Sequence, residues 1–562
     1  MFHRVLAACL CFIAFAIHTH TASAQAISTP VPDGKIGEIS VKHHWIPMRD
    51  GVRLSAYIFL PPGKGPWPVL MEQRYASYRS AGARKRYAIL AAGGYVVAAV
   101  NFRGTQASEG KYVGYRALQW GEKRDGFDTV EWLAKQSWST GKTGTVGGSQ
   151  GGYAQNYLAV TQPPHLTCQF MRDTGLSLFQ EGYRVGGTTR PTRFKGMAAN
   201  CRVADHNRLM VEEWFRHPDY DDYWRDEDAS LHFDKMNVPC LTLGSWYDFM
   251  NIGSIESFVG RQHAGGKNSR GKQKLVIGPW LHGGSKGNVI GELTYPENAA
   301  FDVNAETLLW ADYWLKGKKN GVLDLPNVRY YVMGAVGEEN APGNIWRATD
   351  DFPIPTEERS YYLQPEASLD TEPASVKQAA TKFLADPFKP ATVPNTRFAG
   401  ARDAQPFEKQ AEVRTFTTDV LTKPTEWTGK VKAEMFFSST ARDTDLIVRV
   451  SDVYPDGRSI LIIDFIRRVR YREGFHKQVL LTPGKVTKVA FDVGWMSQIF
   501  NKGHRIRVTV ASTAAPYYEP NPNTGEPLTI EFPKNAVVAT NRVHHDRKYH
   551  SRVIAPIPKK SE

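Results

Sequence analysis

The chain has 562 residues and a mass of 63.0 kDa, which excludes a single small binding module and predicts several folding units. Its 41% hydrophobic and 23% charged residues are typical of a globular protein and exclude a disordered one. Lysine and arginine outnumber aspartate and glutamate by 70 to 57, but the excess positive charge is spread thinly along the chain. Because no nucleic-acid-binding module is recognisable, we expect no nucleic-acid partner.

Residues 1–24 have the pattern of a secretory signal peptide. Arg4 supplies a positive charge, residues 5–17 form an apolar run that is short for a membrane span, and Ala22-Ser23-Ala24 resembles a cleavage site. We therefore expect cleavage after Ala24 and a secreted or periplasmic protein. No later segment is apolar over the length of about 18 residues that a membrane-spanning helix needs.

The exported chain would retain three cysteines, Cys168, Cys201 and Cys240. An odd number allows at most one disulfide within the chain, and the sequence does not show which pair would form it. The fold is therefore not expected to depend on disulfides.

After the signal segment, strand-like and helix-like stretches alternate. In chain order they are a hairpin at 38–60, a strand at 68–71, a helix at 84–92, a strand at 94–100, a helix at 126–136, a strand at 143–146 and a helix at 153–160. This alternation predicts an α/β fold with a mostly parallel sheet over residues 25–175.

Three further regions follow. Residues 176–234 interrupt the alternation with helical spacing and many aromatic residues, which predicts an inserted helical cap. The α/β pattern resumes over 235–350, and residues 351–562 form a separate region in which helical signals nearly disappear. Predicted strands at 413–417, 430–438, 445–453, 459–467, 487–492 and 504–511 have the spacing of an all-β sandwich. Residues 353–406 are rich in loop signals and are expected to wrap this sandwich.

The candidate nucleophile is Ser149. Gly147-Gly148-Ser149-Gln150-Gly151 lies between a predicted strand and a predicted helix, and has glycine two residues before and two residues after the serine. A nucleophilic serine on a strained strand-to-helix turn needs this spacing, because there is no room for side chains at those positions. Ser285 fits the same pattern, but no convincing helix follows it.

A nucleophilic serine needs a base and an acid that orients the base. In an α/β-hydrolase these follow the serine in the order acid, then histidine, each after a late strand. Asp248 ends one such strand and His282 follows the next, so they are the candidate acid and base. Asp173, after an apolar stretch at 166–171, is the alternative acid.

The oxyanion of the reaction needs hydrogen-bond donors. The backbone N–H of Gln150 is one candidate, because the residue after the serine opens the helix. The usual glycine-rich donor loop is missing after the early strand, and Arg74-Tyr75-Ala76-Ser77-Tyr78 stands there instead. A tyrosine hydroxyl, from Tyr75 or Tyr78, is therefore the second candidate.

Several ordered motifs resemble one known family. They are Arg49-Asp50-Gly51-Val52, Asn101-Phe102-Arg103-Gly104 with Ser108-Glu109-Gly110, Trp138-Ser139-Thr140-Gly141-Lys142, Ser245-Trp246-Tyr247-Asp248 and Gly278-Pro279-Trp280-Leu281-His282-Gly283. From about residue 38 to the C-terminus, the chain resembles the cocaine esterase and X-Pro dipeptidyl-peptidase family of serine hydrolases (CocE/NonD-type acyl esterases).

The resemblance implies an α/β-hydrolase domain with a helical cap and a C-terminal jelly roll. It also implies a Ser149–Asp248–His282 triad, and it favours Tyr78 over Tyr75 as the oxyanion donor. Family members that act on α-amino acid esters carry a carboxylate soon after the serine, where this chain has Gln150 and Gly151, so a free amine on the substrate is not expected.

These observations predict an exported serine hydrolase that cleaves a small-molecule carboxylic ester or activated amide through an acyl-enzyme, with no cofactor and no metal. Two alternatives remain: an acylase or X-Pro dipeptidyl-peptidase acting on amides, and an inactive protein that binds carbohydrate or a surface. The sequence does not show whether the chain forms a homo-oligomer. Four aromatic side chains are candidates for the substrate pocket: Trp214, Phe215, Trp246 and Tyr247.

Overall fold

The computed structural model describes residues 29–30, 32–284, 286–394 and 400–559. The predicted signal peptide, its cleavage site after Ala24 and the alternative serine Ser285 lie outside these residues. No helix in the described ranges is both long enough and apolar enough to cross a membrane.

The first part of the chain forms a large mixed sheet with helices on its faces. Its eleven strands lie in the order β1-β2-β3-β5-β4-β6-β7-β8-β9-β12-β13, and β10 and β11 form a separate small hairpin. The strands are β1 Gly34–Ile36, β2 Ile39–Pro47, β3 Arg53–Leu60, β4 Trp67–Arg74, β5 Val96–Asn101, β6 Ser139–Thr145, β7 Leu166–Arg172, β8 Cys240–Ser245, β9 Lys274–Gly278, β10 Val289–Ile290, β11 Leu293–Thr294, β12 Val328–Val332 and β13 Ile345–Thr349. The helices are α1 Ala81–Ala92, α2 Asp125–Ala134, α3 Gln150–Thr161, α4 Pro191–Ala198, α5 Ala204–Arg216, α6 Asp222–Arg225, α7 Asn251–Ala264 and α8 Val303–Lys316.

The central strands pair in parallel, and antiparallel strands close both edges. Strands β5, β8 and β9 are buried along their whole length, as expected for a parallel sheet covered by helices on both faces. Strands β4, β6, β7, β8 and β9 are neighbours in the sheet. The loops that follow them therefore meet at one edge, where α/β sheets bind their ligands.

The segment between β7 and β8 covers that edge. It contains α4, α5 and α6 with several single helical turns. Its residues Phe179, Trp214 and Trp224 belong to a largely aromatic cluster that also includes residues of α3 and of the loop after β5. The three cysteines Cys168, Cys201 and Cys240 are buried and free.

The rest of the chain forms two antiparallel sheets of seven and four strands. Their strands are β14 Thr356–Leu363, β15 Leu369–Asp370, β16 Ala380–Ala385, β17 Arg414–Thr417, β18 Thr425–Ser439, β19 Asp445–Val453, β20 Ser459–Arg468, β21 Thr487–Phe500, β22 Arg505–Ala511, β23 Ala539–His544 and β24 Arg552–Pro558, and one short helix, α9, spans Gln405–Glu408. The region 353–406, predicted to be rich in loops, also contains β14 and β16, which pair with β24 and β23 in the larger sheet.

The two parts of the chain pack tightly against each other. One apolar cluster runs through both and includes Trp246 from the first and Trp495 from the second. Backbone hydrogen bonds also join them: Met333 N–H donates to Ser497 O at 3.0 Å, and Ile499 N–H donates to Met333 O at 2.8 Å. The C-terminal sheets therefore help to hold the first domain in shape.

Candidate active site

Ser149 lies on a strained turn between β6 and α3. Its φ of 55° and ψ of −116° are unusual for a residue other than glycine, and it immediately precedes the first helical residue, Gln150. The Ser149 N–H donates to Arg172 O at 3.0 Å and to Asp173 O at 3.1 Å, so the end of β7 holds the turn in place. This is the geometry of a nucleophile elbow.

The glycines around Ser149 are needed because neighbouring groups fill the space beside the turn. A Cβ at Gly147 would lie 2.9 Å from Glu72 Cγ, and one at Gly151 would lie 3.2 Å from Glu72 Oε1. Glu72, on β4, is buried beneath the turn. Burial by itself would raise the pKa of its carboxyl, but the charges of Arg86 and Arg74 outweigh burial and hold this pKa below its usual value.

Asp248 and His282 form a hydrogen-bonded pair at the ends of neighbouring strands. His282 Nδ1 lies 3.0 Å from Asp248 Oδ1, the Asp248 side chain is fully buried, and 20% of the His282 side chain is exposed. The Phe249 ring packs against the imidazole, with 4.9 Å between the ring centroids. A carboxylate at Nδ1 leaves Nε2 as the ring nitrogen that can accept a proton from another group.

Asp173, the alternative acid, lies beside this pair but is held by other groups. Its Oδ1 accepts a hydrogen bond from the Ser245 hydroxyl at 2.7 Å, and its Oδ2 accepts one from Gly283 N–H at 2.7 Å. Burial, followed by the neighbouring Asp248 carboxylate, raises the pKa of Asp173 to about 6. The hydrogen bond to His282 therefore favours Asp248 as the orienting acid.

The cluster of Asp173, Asp248 and His282 is also the group of described residues best able to hold a metal ion, since its ligand atoms lie within 4.8 Å of one another. The hydrogen bonds given above already use both Asp173 oxygens, Asp248 Oδ1 and His282 Nδ1. The cluster is thus arranged to orient an imidazole and to fix the loop that carries it.

Ser149 and His282 line one cavity of about 630 Å³ beneath the cap. Its other described walls come from the loops after β4, β5 and β8, from α3 and from the cap, and five of the fourteen residues are aromatic. The fourteen residues are Tyr75, Ala76, Tyr115, Gln150, Tyr153, Leu178, Gly182, Tyr183, Arg190, Gly196, Met197, Asn200, Phe249 and Met250. A cavity of this size accepts a small organic molecule.

The two candidate tyrosines lie in different places. Tyr75 lines the cavity beside Ser149 and Gln150. The Tyr78 hydroxyl is buried behind the loop, where it donates to Glu72 O at 2.9 Å and approaches Val100 O at 3.0 Å. The preference for Tyr78 as oxyanion donor is therefore corrected, because its hydroxyl is committed to backbone carbonyls of the sheet and does not reach the cavity.

Gln150 contributes both its backbone and its side chain at this point. Its N–H is at the first position of α3, where the helix offers no carbonyl acceptor. Its side-chain Oε1 accepts a hydrogen bond from Ala76 N–H at 2.9 Å. This bond ties the loop that carries Tyr75 to the start of the helix.

None of the four aromatic residues predicted to form the substrate pocket lines this cavity. Trp246 Nε1 donates to Tyr331 O at 2.7 Å, and the Tyr247 hydroxyl lies 2.8 Å from the hydroxyl of Tyr295. Both line a separate narrow cavity of about 50 Å³ against the C-terminal domain.

Trp214 and Phe215, the two cap residues among these four, also do not line the catalytic cavity. Trp214 stacks behind the wall residue Tyr183, with 3.9 Å between ring centroids, and Phe215 packs under the guanidinium of Arg184. The prediction of these four as pocket residues is corrected, because their rings are used in packing the core.

Other wall residues were missed by sequence analysis, although some carry a signal. Phe249 and Met250 directly follow Asp248, and Tyr153 is one helical turn after Ser149 on α3, so proximity to the candidate acid and nucleophile points to them. Arg190, Met197 and Asn200 come from the cap, and no pattern in the sequence indicates how the cap docks.

Comparison with known proteins gives matches over nearly the whole chain. The family model described as X-Pro dipeptidyl-peptidase (S15 family) matches residues 50–208 and 195–284, and the model of the X-Pro dipeptidyl-peptidase C-terminal non-catalytic domain matches residues 320–554. The chain belongs to this family of serine hydrolases. The resemblance noted from the sequence motifs is thereby confirmed.

Relatives within the family agree in length and fold. Cocaine esterase from Rhodococcus sp. (strain MB1 Bresler) is 28% identical over 92% of this chain and 98% of its own. The solved structure of an α-amino acid ester hydrolase superposes with a TM-score of 0.82 at 24% identity, over 94% of this chain and 98% of the other. The solved structure of an aminopeptidase from a Thaumarchaeota archaeon superposes with a TM-score of 0.80 at 23% identity, over 94% of this chain and 99% of the other. The predicted fold class, an α/β-hydrolase with a C-terminal β-sandwich, is confirmed.

Proposed function

We propose that this member of the family is an exported esterase that uses Ser149, His282 and Asp248 as its catalytic triad. The observation that carries the proposal is that the strained Ser149 and His282 line the same cavity, with Nδ1 of the His282 imidazole held by Asp248 at 3.0 Å. Export rests on the signal-like pattern of residues 1–24.

The reaction runs through an acyl-enzyme. Ser149 Oγ attacks the ester carbonyl while His282 Nε2 takes its proton, and Asp248 stabilises the imidazolium that results. The tetrahedral intermediate collapses, the ester C–O bond breaks, and the imidazolium donates its proton to the leaving alcohol. Water then attacks the acyl-enzyme with the same base, which releases the acid and restores Ser149.

The oxyanion is stabilised by the Gln150 N–H and the Tyr75 hydroxyl. Tyr75 replaces Tyr78 in this role, because Tyr75 borders the cavity next to Ser149 and the Tyr78 hydroxyl is used within the sheet. The hydrogen bond from Ala76 N–H to the Gln150 side chain couples the two donors, so both are in place before the substrate binds.

An ester is the preferred substrate class, and an activated amide is the alternative. The same residues would serve both, since His282 would protonate a leaving amine as it does an alcohol. Matched acyl esters and acyl amides of one carboxylic acid separate the two: higher kcat/KM on the amide would assign the protein as an amidase or peptidase.

Labelling with a fluorophosphonate probe tests the nucleophile. We expect the wild-type protein and the Ser285→Ala variant to be labelled equally and to hydrolyse 4-nitrophenyl butyrate. Ser149→Ala should lose the label, and its kcat should fall by at least about a thousandfold, because the covalent step is removed.

Two outcomes would contradict the proposal. Label retained in Ser149→Ala would place the nucleophile elsewhere, and an unlabelled, inactive wild-type protein would favour the non-catalytic alternative. Circular dichroism of each variant checks that loss of activity is not loss of fold.

A further inference from the structure

Arg190 brings a positive charge into the wall of the catalytic cavity. It comes from the cap, directly before α4, and it is the only arginine or lysine among the described wall residues. The described wall contains no aspartate or glutamate. The described wall therefore carries the positive charge of Arg190 without a carboxylate beside it to balance that charge.

The guanidinium is fixed by aromatic rings from two domains. Its Cζ lies 4.4 Å from the centroid of the Tyr517 ring, 5.4 Å from that of Tyr518 and 4.9 Å from that of Phe249. Its Nη2 donates to the Tyr517 hydroxyl at 2.8 Å. Stacking on aromatic faces pre-orients a guanidinium at little further entropic cost.

The Tyr518 side chain also hydrogen-bonds Arg190, but one N–H of the guanidinium group has no acceptor among the described residues. Only 5% of the residue is exposed, yet its buried Nε donates to no described group. A buried, unused N–H of a cation costs free energy unless a ligand supplies the acceptor. When a residue with such an unpaired N–H lines a substrate cavity, we expect the substrate to supply the hydrogen-bond acceptor.

The carboxylates nearby do not neutralise this charge from within the cavity. Asp464 interacts with Arg190 and lines the narrow neighbouring cavity, which Arg190 and Asp248 also border, but Asp464 does not line the catalytic cavity. The Asp464 Oδ2 lies 3.5 Å from Arg449 Nη2, so Asp464 faces a second arginine as well. Glu181, which lies next to the wall residue Tyr153, is buried, and burial raises the pKa of its carboxyl well above the usual value.

Arg190 is also close enough to the candidate base to contact the same small molecule. The Phe249 ring centroid lies 4.9 Å from both the His282 ring centroid and Arg190 Cζ, so the guanidinium is within about 10 Å of the imidazole. An extended chain of five carbon–carbon bonds of about 1.5 Å spans roughly 6 Å. A substrate of that length can place its ester at Ser149 and its far end at Arg190.

We propose that Arg190 is a specificity-determining residue that binds a carboxylate of the substrate, so that this protein prefers esters carrying a negative charge a few bonds from the scissile carbonyl. This inference rests on the proposed esterase function and names the substrate class of the same site. The planar guanidinium suits a carboxylate, which can accept from two of its N–H groups at once.

The test compares esters that differ only in the terminal group. The pair is 4-nitrophenyl monoadipate and 4-nitrophenyl hexanoate, with 4-nitrophenyl 6-aminohexanoate as the cationic member. Adipate is chosen over succinate or glutarate because a shorter chain lets its own carboxylate attack the ester. Butyrate esters of 4-hydroxybenzoate and of phenol form a second pair, in which the carboxylate is on the alcohol side of the ester.

We expect the wild-type protein to favour the anionic member of at least one pair by about tenfold to a hundredfold in kcat/KM, the range of a charged hydrogen bond. Arg190→Gln should abolish that preference and Arg190→Lys should keep part of it. Which pair shows the effect tells whether the carboxylate sits on the acyl or the alcohol side.

Arg184→Gln is the matched control. Arg184 is another buried cap arginine that stacks on an aromatic ring and has a buried nitrogen without a hydrogen-bond partner among the described residues, but it does not line the cavity. Its substitution should leave the preference unchanged. A measurement that needs no variant is inhibition of hexanoate ester hydrolysis, where the adipate dianion should compete better than hexylammonium.

Failure of this inference is distinguishable from failure of the proposed function. Hydrolysis of the neutral esters that depends on Ser149 but shows no preference for the anionic members, in either pair, would overturn the role of Arg190 alone. A preference that survives Arg190→Gln would do the same. Absence of hydrolysis of every ester, with no fluorophosphonate label, would overturn the function on which the inference rests.

Discussion

At the scale of single residues, the site depends on which polar atoms remain available after packing. Tyr75 and Tyr78 are three residues apart, yet only Tyr75 borders the cavity, because the Tyr78 hydroxyl is used by carbonyls of β4 and β5. Asp173 and Asp248 differ in the same way: the Asp173 oxygens hold Ser245 and Gly283, and Asp248 holds His282. Hydrogen-bond commitments, and not residue type, separate the candidates.

The two tyrosines give a direct test at this scale. Tyr75→Phe should lower kcat by about a hundredfold to a thousandfold with little change in KM, because an oxyanion donor acts mainly in the transition state. Tyr78→Phe should leave kcat within a few-fold and lower the free energy of unfolding by about 1 kcal/mol, the contribution of one buried hydrogen bond. Steady-state kinetics and urea unfolding measure both effects. The opposite pattern would return the donor role to Tyr78.

At the scale of elements, the candidate site is built where β4, β6, β7, β8 and β9 end. The turn after β6 can be tight only because Gly147 leaves room for the Glu72 carboxylate of β4. Glu72 in turn interacts with Arg74 and Arg86, so this buried cluster ties the first loop of the sheet to the strand-to-helix turn. A substitution beneath the turn should therefore shift Ser149, although the substituted residue does not contact the substrate.

Gly147→Ala tests this packing. Its φ of 131° disfavours any side chain, and a Cβ would lie 2.9 Å from Glu72 Cγ. We expect a loss of about 3 to 5 kcal/mol in unfolding free energy, from strain and overpacking together, and a marked fall in kcat.

Gly141→Ala, on β6 just before the turn that contains Gly147, is the control. Gly141 has a φ of 79°, but the nearest atom to its Cβ would be His165 Cδ2 at 3.9 Å, so only backbone strain of about 1 to 2 kcal/mol is expected. Urea unfolding and the rate on 4-nitrophenyl butyrate measure both variants. Equal losses of stability and rate would show that contact with Glu72 is unimportant.

At the scale of the whole molecule, the C-terminal domain supports the candidate site without lining its cavity. Tyr517 and Tyr518 hold Arg190, and Asn251 Nδ2, at the start of α7, donates to Trp495 O at 2.9 Å. The domains also share a buried ionic contact: His504 Nδ1 lies 2.8 Å from Asp452 Oδ1, and His504 Nε2 lies 2.8 Å from Glu338 Oε1 in the loop after β12. The docking of the two parts should therefore depend on pH.

The sign of that dependence follows from His504. Burial by itself would lower the pKa of its imidazole, but hydrogen bonds and charges of Asp452 and Glu338 outweigh burial and raise the pKa above its usual value. A raised pKa in the folded state stabilises the protein fully below the unfolded value of about 6.5, and this contribution is lost as the pH rises through the folded pKa.

His504→Gln should therefore lower the unfolding free energy more at pH 6 than at pH 9. Thermal unfolding at both pH values measures this difference. His263→Gln is the control, because His263 pairs with Asp351 at the exposed surface and its loss should cost less than about 0.5 kcal/mol at either pH. A pH-independent loss in His504→Gln would contradict the ionic role.

The sequence alone was sufficient for the architecture and for the ordered candidates at the strand ends. Alternating apolar runs predict the α/β sheet, and the order of Ser149, Asp248 and His282 follows from the strands that precede them, because parallel strands bring their ends to one edge. Local patterns carry this information, because each helix or strand is predicted from residues close together in the chain. The site candidates then follow from the order of the strands.

Other features were decided only by the tertiary structure. Strands β14 and β16 are weak as local patterns and form because they complete a sheet with β24 and β23, which follow more than 150 residues later. The choice between Tyr75 and Tyr78, the packing of Trp246 and Tyr247 into the core, and the entry of Arg190 into the cavity all depend on how the cap and the C-terminal domain dock. Docking buries side chains against partners distant in the chain, and a sequence does not specify which atoms remain free once those contacts have formed.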